Sequence, residues 1–162
     1  IVIDMAARHP DDWTAVICCE AGMRNQTFPD DFLERGREDA GIPAFHEFTF
    51  YRTAALCGQG APPERVQEIQ WLRRRGDPKI MIHDLLAWNR HDLTQMASRI
   101  SAPTMLVRGA DDSGVSQEMV EQTLRAIPGA ELVVLPGVGH FPMAEHEGFA
   151  PVVESFLSRH GL

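Results

Sequence analysis

Hydrophobic residues concentrate in three short runs that do not alternate with polar ones. These are Trp13-Thr14-Ala15-Val16-Ile17-Cys18-Cys19, Thr104-Met105-Leu106-Val107-Arg108 and Glu131-Leu132-Val133-Val134-Leu135. The three runs predict strands, and the β-branched, barely alternating first run, Trp13 to Cys19, predicts a strand covered on both faces, as in a parallel sheet. Each ends in a turn: Glu20-Ala21-Gly22, Gly109-Ala110-Asp111-Asp112 and Pro136-Gly137-Val138-Gly139.

Between and around the runs the pattern is helical. Ile1 to His9 reads as an amphipathic helix that Pro10 terminates. It carries no N-cap signal, so the chain reads as entered inside a helix. Residues 23–99 lack strand-like runs. Asp30 to Ala40 predicts a helix with an acidic start and Gly41 beyond its end. The aromatic stretch Phe45 to Tyr51 fits strand or helix and is assigned to helix by its surroundings. Pro63 to Arg75 predicts a helix with Val66, Ile69 and Leu72 on one face. Lys79 to Asn89 predicts another, carrying Ile80, Met81, Leu85 and Leu86. Asp92 to Met96 leads back to the sheet. Helices over Ser116 to Ala126 and Phe149 to His160 flank the third strand. Strands alternating with helices imply an α/β fold with a parallel sheet and right-handed crossovers. The predicted organisation is a core segment 1–22, a helical insertion 23–99 and a second core segment 100–162.

A length of 162 residues suits one domain, and 44% hydrophobic residues can fill a core. No apolar run approaches the roughly 18–20 residues of a membrane-spanning helix. A net charge of −8 argues against nucleic acid, whose phosphates need a basic surface. Cys18, Cys19 and Cys57 form no disulfide framework, so a reducing compartment is expected. The N-terminus lacks leader character, and the expected location is the cytoplasm. No His, Cys or carboxylate pair has metal-ligand spacing, so no metal site is expected.

Proton chemistry centres on two turns. In open α/β sheets ligands bind beyond the carboxyl ends of the strands. Asp111, Asp112 and His140 all lie there, and one helix plus one strand separate the carboxylates from the imidazole. Neighbouring parallel strands would bring the two turns together. An imidazole can take a nucleophile's proton through one nitrogen while the other donates to a carboxylate that fixes the tautomer. The remaining histidines read as structural or solvated: His9 at a helix end, His46, His83 and His91 in the insertion, His146 and His160 beside the last helix. Arg73-Arg74-Arg75 reads as a solvated helix end.

Pro103-Thr104-Met105-Leu106-Val107-Arg108-Gly109-Ala110-Asp111-Asp112, followed by Pro136-Gly137-Val138-Gly139-His140-Phe141-Pro142, resembles the C-terminal half of the α/β-hydrolase fold superfamily. Ala6 to Trp13 resembles the helix-to-strand passage after that family's nucleophile elbow. The resemblance implies the C-terminal part of an α/β-hydrolase sheet with an inserted helical cap. It implies Asp112 as the acid, three residues after Gly109, and His140 as the base. The family's nucleophile sits in G-x-S-x-G. None of Ser98, Ser101, Ser113, Ser116, Ser155 and Ser158 has that context. A complementary N-terminal segment carrying nucleophile and oxyanion hole is therefore the expected partner, and a second copy of the chain is another candidate.

The implied activity is hydrolysis of a small-molecule ester, lactone, amide or carbon–carbon bond, with no cofactor. The same fold also serves lyases, dehalogenases and cofactor-free oxygenases, and a non-catalytic fragment is a further alternative. Arg24, just past a strand end, Trp88, before the return to the sheet, and Phe141, beside His140, are candidates to line the substrate pocket. A three-stranded sheet with an open edge at Trp13–Cys19 predicts that the isolated chain associates or is unstable.

Overall fold

A computed structural model describes residues 1–25, 28–42 and 44–162. Helix α1 (Val2–Arg8) buries Ile3, Ala6 and Ala7 and ends at His9, where Pro10 opens a short 3-10 turn. Strands β1 (Val16–Cys19), β2 (Thr104–Gly109) and β3 (Glu131–Leu135) form one parallel sheet in the order β1-β2-β3. Strand β1 is shorter than its apolar run. Its pairing begins with Val16 opposite Thr104, where the Val16 N–H donates to the Pro103 carbonyl at 2.9 Å. Pro103 has no N–H to extend the ladder towards Trp13, and Trp13 is exposed.

Every residue of central β2 is buried. Successive side chains of a strand point to opposite faces, and the core divides accordingly. Leu106 joins Ile3, Ala6, Val16, Cys18, Val120 and Ile127 on the face covered by α1 and α6 (Gln117–Ala126). Met105 and Val107 join Leu135, Val138 and Phe156 under α8 (Phe149–Arg159). Phe156 is fully buried, and removing a side chain of that size from water stabilises the fold by about 1.5–3 kcal/mol. Ser116 caps α6, its Oγ accepting the Met119 N–H at 3.3 Å.

Four helices separate β1 from β2: α2 (Asp30–Asp39), α3 (Ala44–Leu56), α4 (Pro63–Arg74) and α5 (Pro78–Arg90). The ambiguous aromatic stretch is the start of α3, which runs on to Leu56. Its threonines fit a helix because their hydroxyls bond backwards, Thr49 to the Phe45 carbonyl at 2.9 Å and Thr53 to the Thr49 carbonyl at 2.7 Å. Asp77 caps α5 by accepting the Lys79 N–H at 2.7 Å. Leu72, expected on one face with Val66 and Ile69, is exposed, and so is Ile80 of α5. Gln70 and Ile82 are buried instead, and the Gln70 amide donates to the Phe50 carbonyl at 3.0 Å. Antiparallel pairing of Arg24 with Asp92, and the Leu93 N–H donating to the Met23 carbonyl at 2.8 Å, close the base of the insertion.

Two further features add to the sequence pattern. A single helical turn, α7 (Pro142–Glu145), follows His140 and buries Glu145. His160 is exposed, as expected, yet its ring is also held: it lies 4.8 Å centre to centre from the Phe156 ring and 3.0 Å from Glu131 Oε1. Among the described residues no helix is long and apolar enough to cross a membrane.

Candidate active site

The turns after β2 and β3 are stitched together by backbone. Ala110 N–H donates to the Leu135 carbonyl and Asp111 N–H to the Val138 carbonyl, both at 2.9 Å. Two glycines permit this contact for different reasons. Gly137 has φ +72°, in the region that favours glycine. Gly109 has no such torsion, but a Cβ on it would collide with the carbonyls of Val138 and Gly139.

Asp112 and His140 meet across this junction. The Asp112 side chain is wholly buried, and its Oδ2 lies 3.0 Å from His140 Nδ1. A carboxylate only accepts, so Nδ1 carries the hydrogen and Nε2 is left as the basic nitrogen. Gly114 N–H donates to Asp112 Oδ1 at 2.7 Å and Val115 N–H to Oδ2 at 3.2 Å. Burial alone pushes the Asp112 carboxyl up. Hydrogen bonds from His140, Glu20 and Gly114 outweigh it and hold the group below the usual carboxylate range. Asp111 is turned elsewhere, accepting the Gln59 N–H at 2.9 Å. The His140 ring is partly exposed, and the backbone N–H of His140 donates to the Leu56 carbonyl at 2.8 Å.

Two buried carboxyl groups that the sequence pattern did not single out support the pair. Glu145 Oε2 accepts the N–H groups of Gly58 and Gly139 at 2.7 Å each, and Oε1 accepts that of Phe141 at 2.8 Å. It thereby ties the loop after α3 to the residues on either side of His140. Glu20, directly after β1, adopts φ 47° and is buried. Its Oε1 accepts the Gly109 N–H. Its Oε2 is buried with no N–H to accept, which suits it to carry a proton shared with Asp112. Burial, then the hydrogen bond to Asp112, push the Glu20 pKa up to about 9. The only sequence signal was a carboxylate at a strand's C-terminal end with no helix following to cap.

A measurable consequence follows from Glu20. Its folded-state pKa lies above its unfolded value, so the folded state binds the extra proton. That contribution is complete below the unfolded pKa and is lost as pH rises through about 9. Glu20→Gln keeps a neutral donor to Asp112 but cannot ionise. Urea denaturation across this range is expected to show the variant gaining stability relative to the parent as pH rises. A constant difference would show that Glu20 is not held protonated.

Beside His140 lies a cleft of about 250 Å³ lined by Phe28, Arg52, Ala55, Leu56, Ser113 and Gly114. A Cβ on Gly114 would come within 3.2 Å of His140 Nδ1, so this wall adjoins the imidazole. Phe141 stands edge-on to the His140 ring at 5.2 Å. The structure thus brings Asp112, His140 and Phe141 together. It places Trp88 behind the wall, 6.1 Å from the Phe28 ring and packed on the main core. Arg24 is at the base of the insertion, its Nε 3.3 Å from Asp92 Oδ2.

Residues 4–152 match the model of the Alpha/beta hydrolase family. The chain belongs to this family. Among curated relatives, the pimeloyl-[acyl-carrier protein] methyl ester esterase of Neisseria meningitidis serogroup B is 28% identical over 167 residues, covering 97% of this chain and 64% of the esterase. A 2-hydroxy-6-oxo-6-(2'-aminophenyl)hexa-2,4-dienoic acid hydrolase of Metapseudomonas resinovorans is 32% identical over 95 residues, covering 58% of this chain and 29% of that protein. The enol-lactonase of Burkholderia xenovorans LB400 superposes with TM-score 0.80 at 18% identity, over 97% of this chain and 61% of that one. An esterase from Exiguobacterium antarcticum gives TM-score 0.80 at 19% identity, over 96% and 62%. These structures share the α/β-hydrolase fold. The chain spans 64% of the length of the esterase it matches.

Proposed function

We propose that this α/β-hydrolase chain supplies the base and acid of a Ser-His-Asp triad acting on a small-molecule carbonyl substrate, an ester, lactone, amide or activated carbon–carbon bond. The observation that carries the proposal is His140 Nδ1 held 3.0 Å from a fully buried Asp112 carboxylate at the carboxyl ends of adjacent parallel strands. The nucleophile and oxyanion hole are assigned to a segment preceding Ile1. That assignment is supported by the share of the esterase's length this chain spans and by the lack of a serine in G-x-S-x-G context.

In this reading His140 Nε2 takes the serine proton as the hydroxyl attacks the carbonyl. The imidazolium formed is stabilised by Asp112 and returns the proton to the leaving group. Water then attacks the acyl-enzyme with His140 again as base, releasing the acid and regenerating the serine. Helices α2–α5 act as the cap over the cleft, with Phe141 bounding it. Trp88 supports its wall, and Arg24 fastens the insertion through Asp92.

The test is expression with the upstream coding sequence, then labelling with a serine-directed fluorophosphonate and assay on p-nitrophenyl acetate and dihydrocoumarin. Labelling of a single serine upstream of Ile1, together with ester or lactone turnover, is expected. Turnover without any labelled serine would overturn the triad.

A further inference from the structure

Two guanidinium groups of the helical insertion, those of Arg52 and Arg73, lie near His140 with no carboxylate paired to them among the described residues. Arg52 of α3 lines the cleft beside Ser113 and Gly114, its guanidinium 5.7 Å from the Phe28 ring centre. Arg73 of α4 is partly buried, not solvated as its run of arginines suggested. It lies over Phe141 at 5.7 Å, and its Nε is buried without a hydrogen-bond partner. Their neighbours are paired: Arg74 with Glu47 at 2.6 Å and Arg65 with Glu68 at 2.8 Å. Among the described residues no ion pair involves Arg52 or Arg73.

Among the described residues nothing close by neutralises them. Burial, and then the charge of Arg52, depress the Arg73 pKa, so the two cations act on each other. The nearby Cys57 thiol is pushed up to about 11 by burial and carries no charge near neutral pH. The Glu145 carboxylate is committed to three backbone N–H groups. Partly desolvated like charges are costly unless an anion joins them. A planar guanidinium presents parallel donors that match a carboxylate, and such charge-assisted bonds are among the stronger ones. One aromatic ring, Phe141, stands between Arg73 and His140.

We propose that Arg52, in the wall of the cleft, and Arg73, over Phe141 beside His140, form a carboxylate-binding subsite, so that the preferred substrate is an ester, lactone or ketone bearing a free carboxylate. The proposal rests on the hydrolase reading of His140 and Asp112 and narrows it. Phe28, Ala55 and Leu56 line the cleft with Arg52, and Phe141 contacts both Arg73 and His140; these apolar groups suit a short hydrocarbon link between carboxylate and scissile carbonyl.

The test uses the chain expressed with its upstream segment and two esters of similar size, monomethyl glutarate and methyl butyrate. The parent is expected to prefer the anionic ester. Arg52→Gln and Arg73→Gln are each expected to lower the anionic-to-neutral ratio of kcat/KM by about 10-fold or more. A parent that turns over both esters equally, or variants that leave the ratio unchanged, would overturn the subsite while leaving the hydrolase reading intact. Calorimetric titration with glutarate supplies a readout independent of catalysis. Binding to the parent that weakens in both variants is expected. Absence of binding, or tighter binding of inorganic phosphate, would overturn the carboxylate assignment. Should a glutamine variant fail to fold, Arg73→Lys keeps the charge but loses the planar fork, and weaker glutarate binding is again expected. If His140→Ala turned over both esters like the parent, the hydrolase reading would fall, and glutarate binding would decide the subsite alone.

Discussion

His140→Ala is expected to lower kcat for ester hydrolysis by about 10⁴-fold or more in the enzyme carrying its upstream segment, with little change in KM. The basic nitrogen has no substitute. Among the groups around the ring, Asp112 is held ionised by His140, Glu20 and Gly114 and is fully buried, so it cannot reach a nucleophile. Glu20 is pushed towards its protonated form. Asp112→Asn is expected to cost about 10⁴-fold as well, because an amide in place of the carboxylate no longer fixes the productive tautomer. Asp111→Asn separates the two neighbouring acids. Asp111 bonds the Gln59 backbone, while the carboxylate bonded to the imidazole is that of Asp112, so the loss of Asp111 is expected to change kcat by less than about 10-fold. Steady-state kinetics of the three variants checks the assignment. If Asp111→Asn were as damaging as Asp112→Asn, the acid would be misassigned.

What the sequence revealed, and what it hid, follows the range of the interactions involved. Strands β2 and β3 were legible because their apolar runs are uninterrupted and end in glycine turns. Asp112 and His140 were legible because each occupies such a turn. The start of β1 was not, because it is set by Pro103, some ninety positions away. Helix α3 was ambiguous because its threonines and aromatics favour strands until their hydroxyls find carbonyls one turn back. Leu72 fits the periodicity of α4 and is still exposed, since α4 offers Ile69 and Gln70 to the core instead. Glu20 and Glu145 could not be found by pattern. One bonds an N–H across 89 positions and the other across 87. Arg73 was hidden for the same reason, the ring beneath it being Phe141.

Glu145→Ala is expected to be among the most destabilising single changes in the chain, by about 4 kcal/mol or more. The physical reason is a count of donors. The carboxylate takes three backbone N–H groups, those of Gly58, Gly139 and Phe141, in a residue that is only 4% exposed. Each buried donor left unpaired costs about 1–3 kcal/mol, and water could enter only where the junction opens. The junction is tightly closed, since a Cβ on Gly139 would collide with the Leu56 carbonyl and the Gly58 N–H. Against a total stability of about 5–15 kcal/mol, the loss approaches unfolding. Glu145→Gln tests the mechanism more finely. It keeps the volume and one accepting oxygen, but it turns an NH₂ group towards backbone donors. An intermediate loss in urea denaturation is expected, with a larger fall in kcat than stability alone would give, because the freed N–H groups flank His140. If Glu145→Gln matched the parent in both stability and kcat, the carboxylate would not be the clasp that aligns His140 with Asp112.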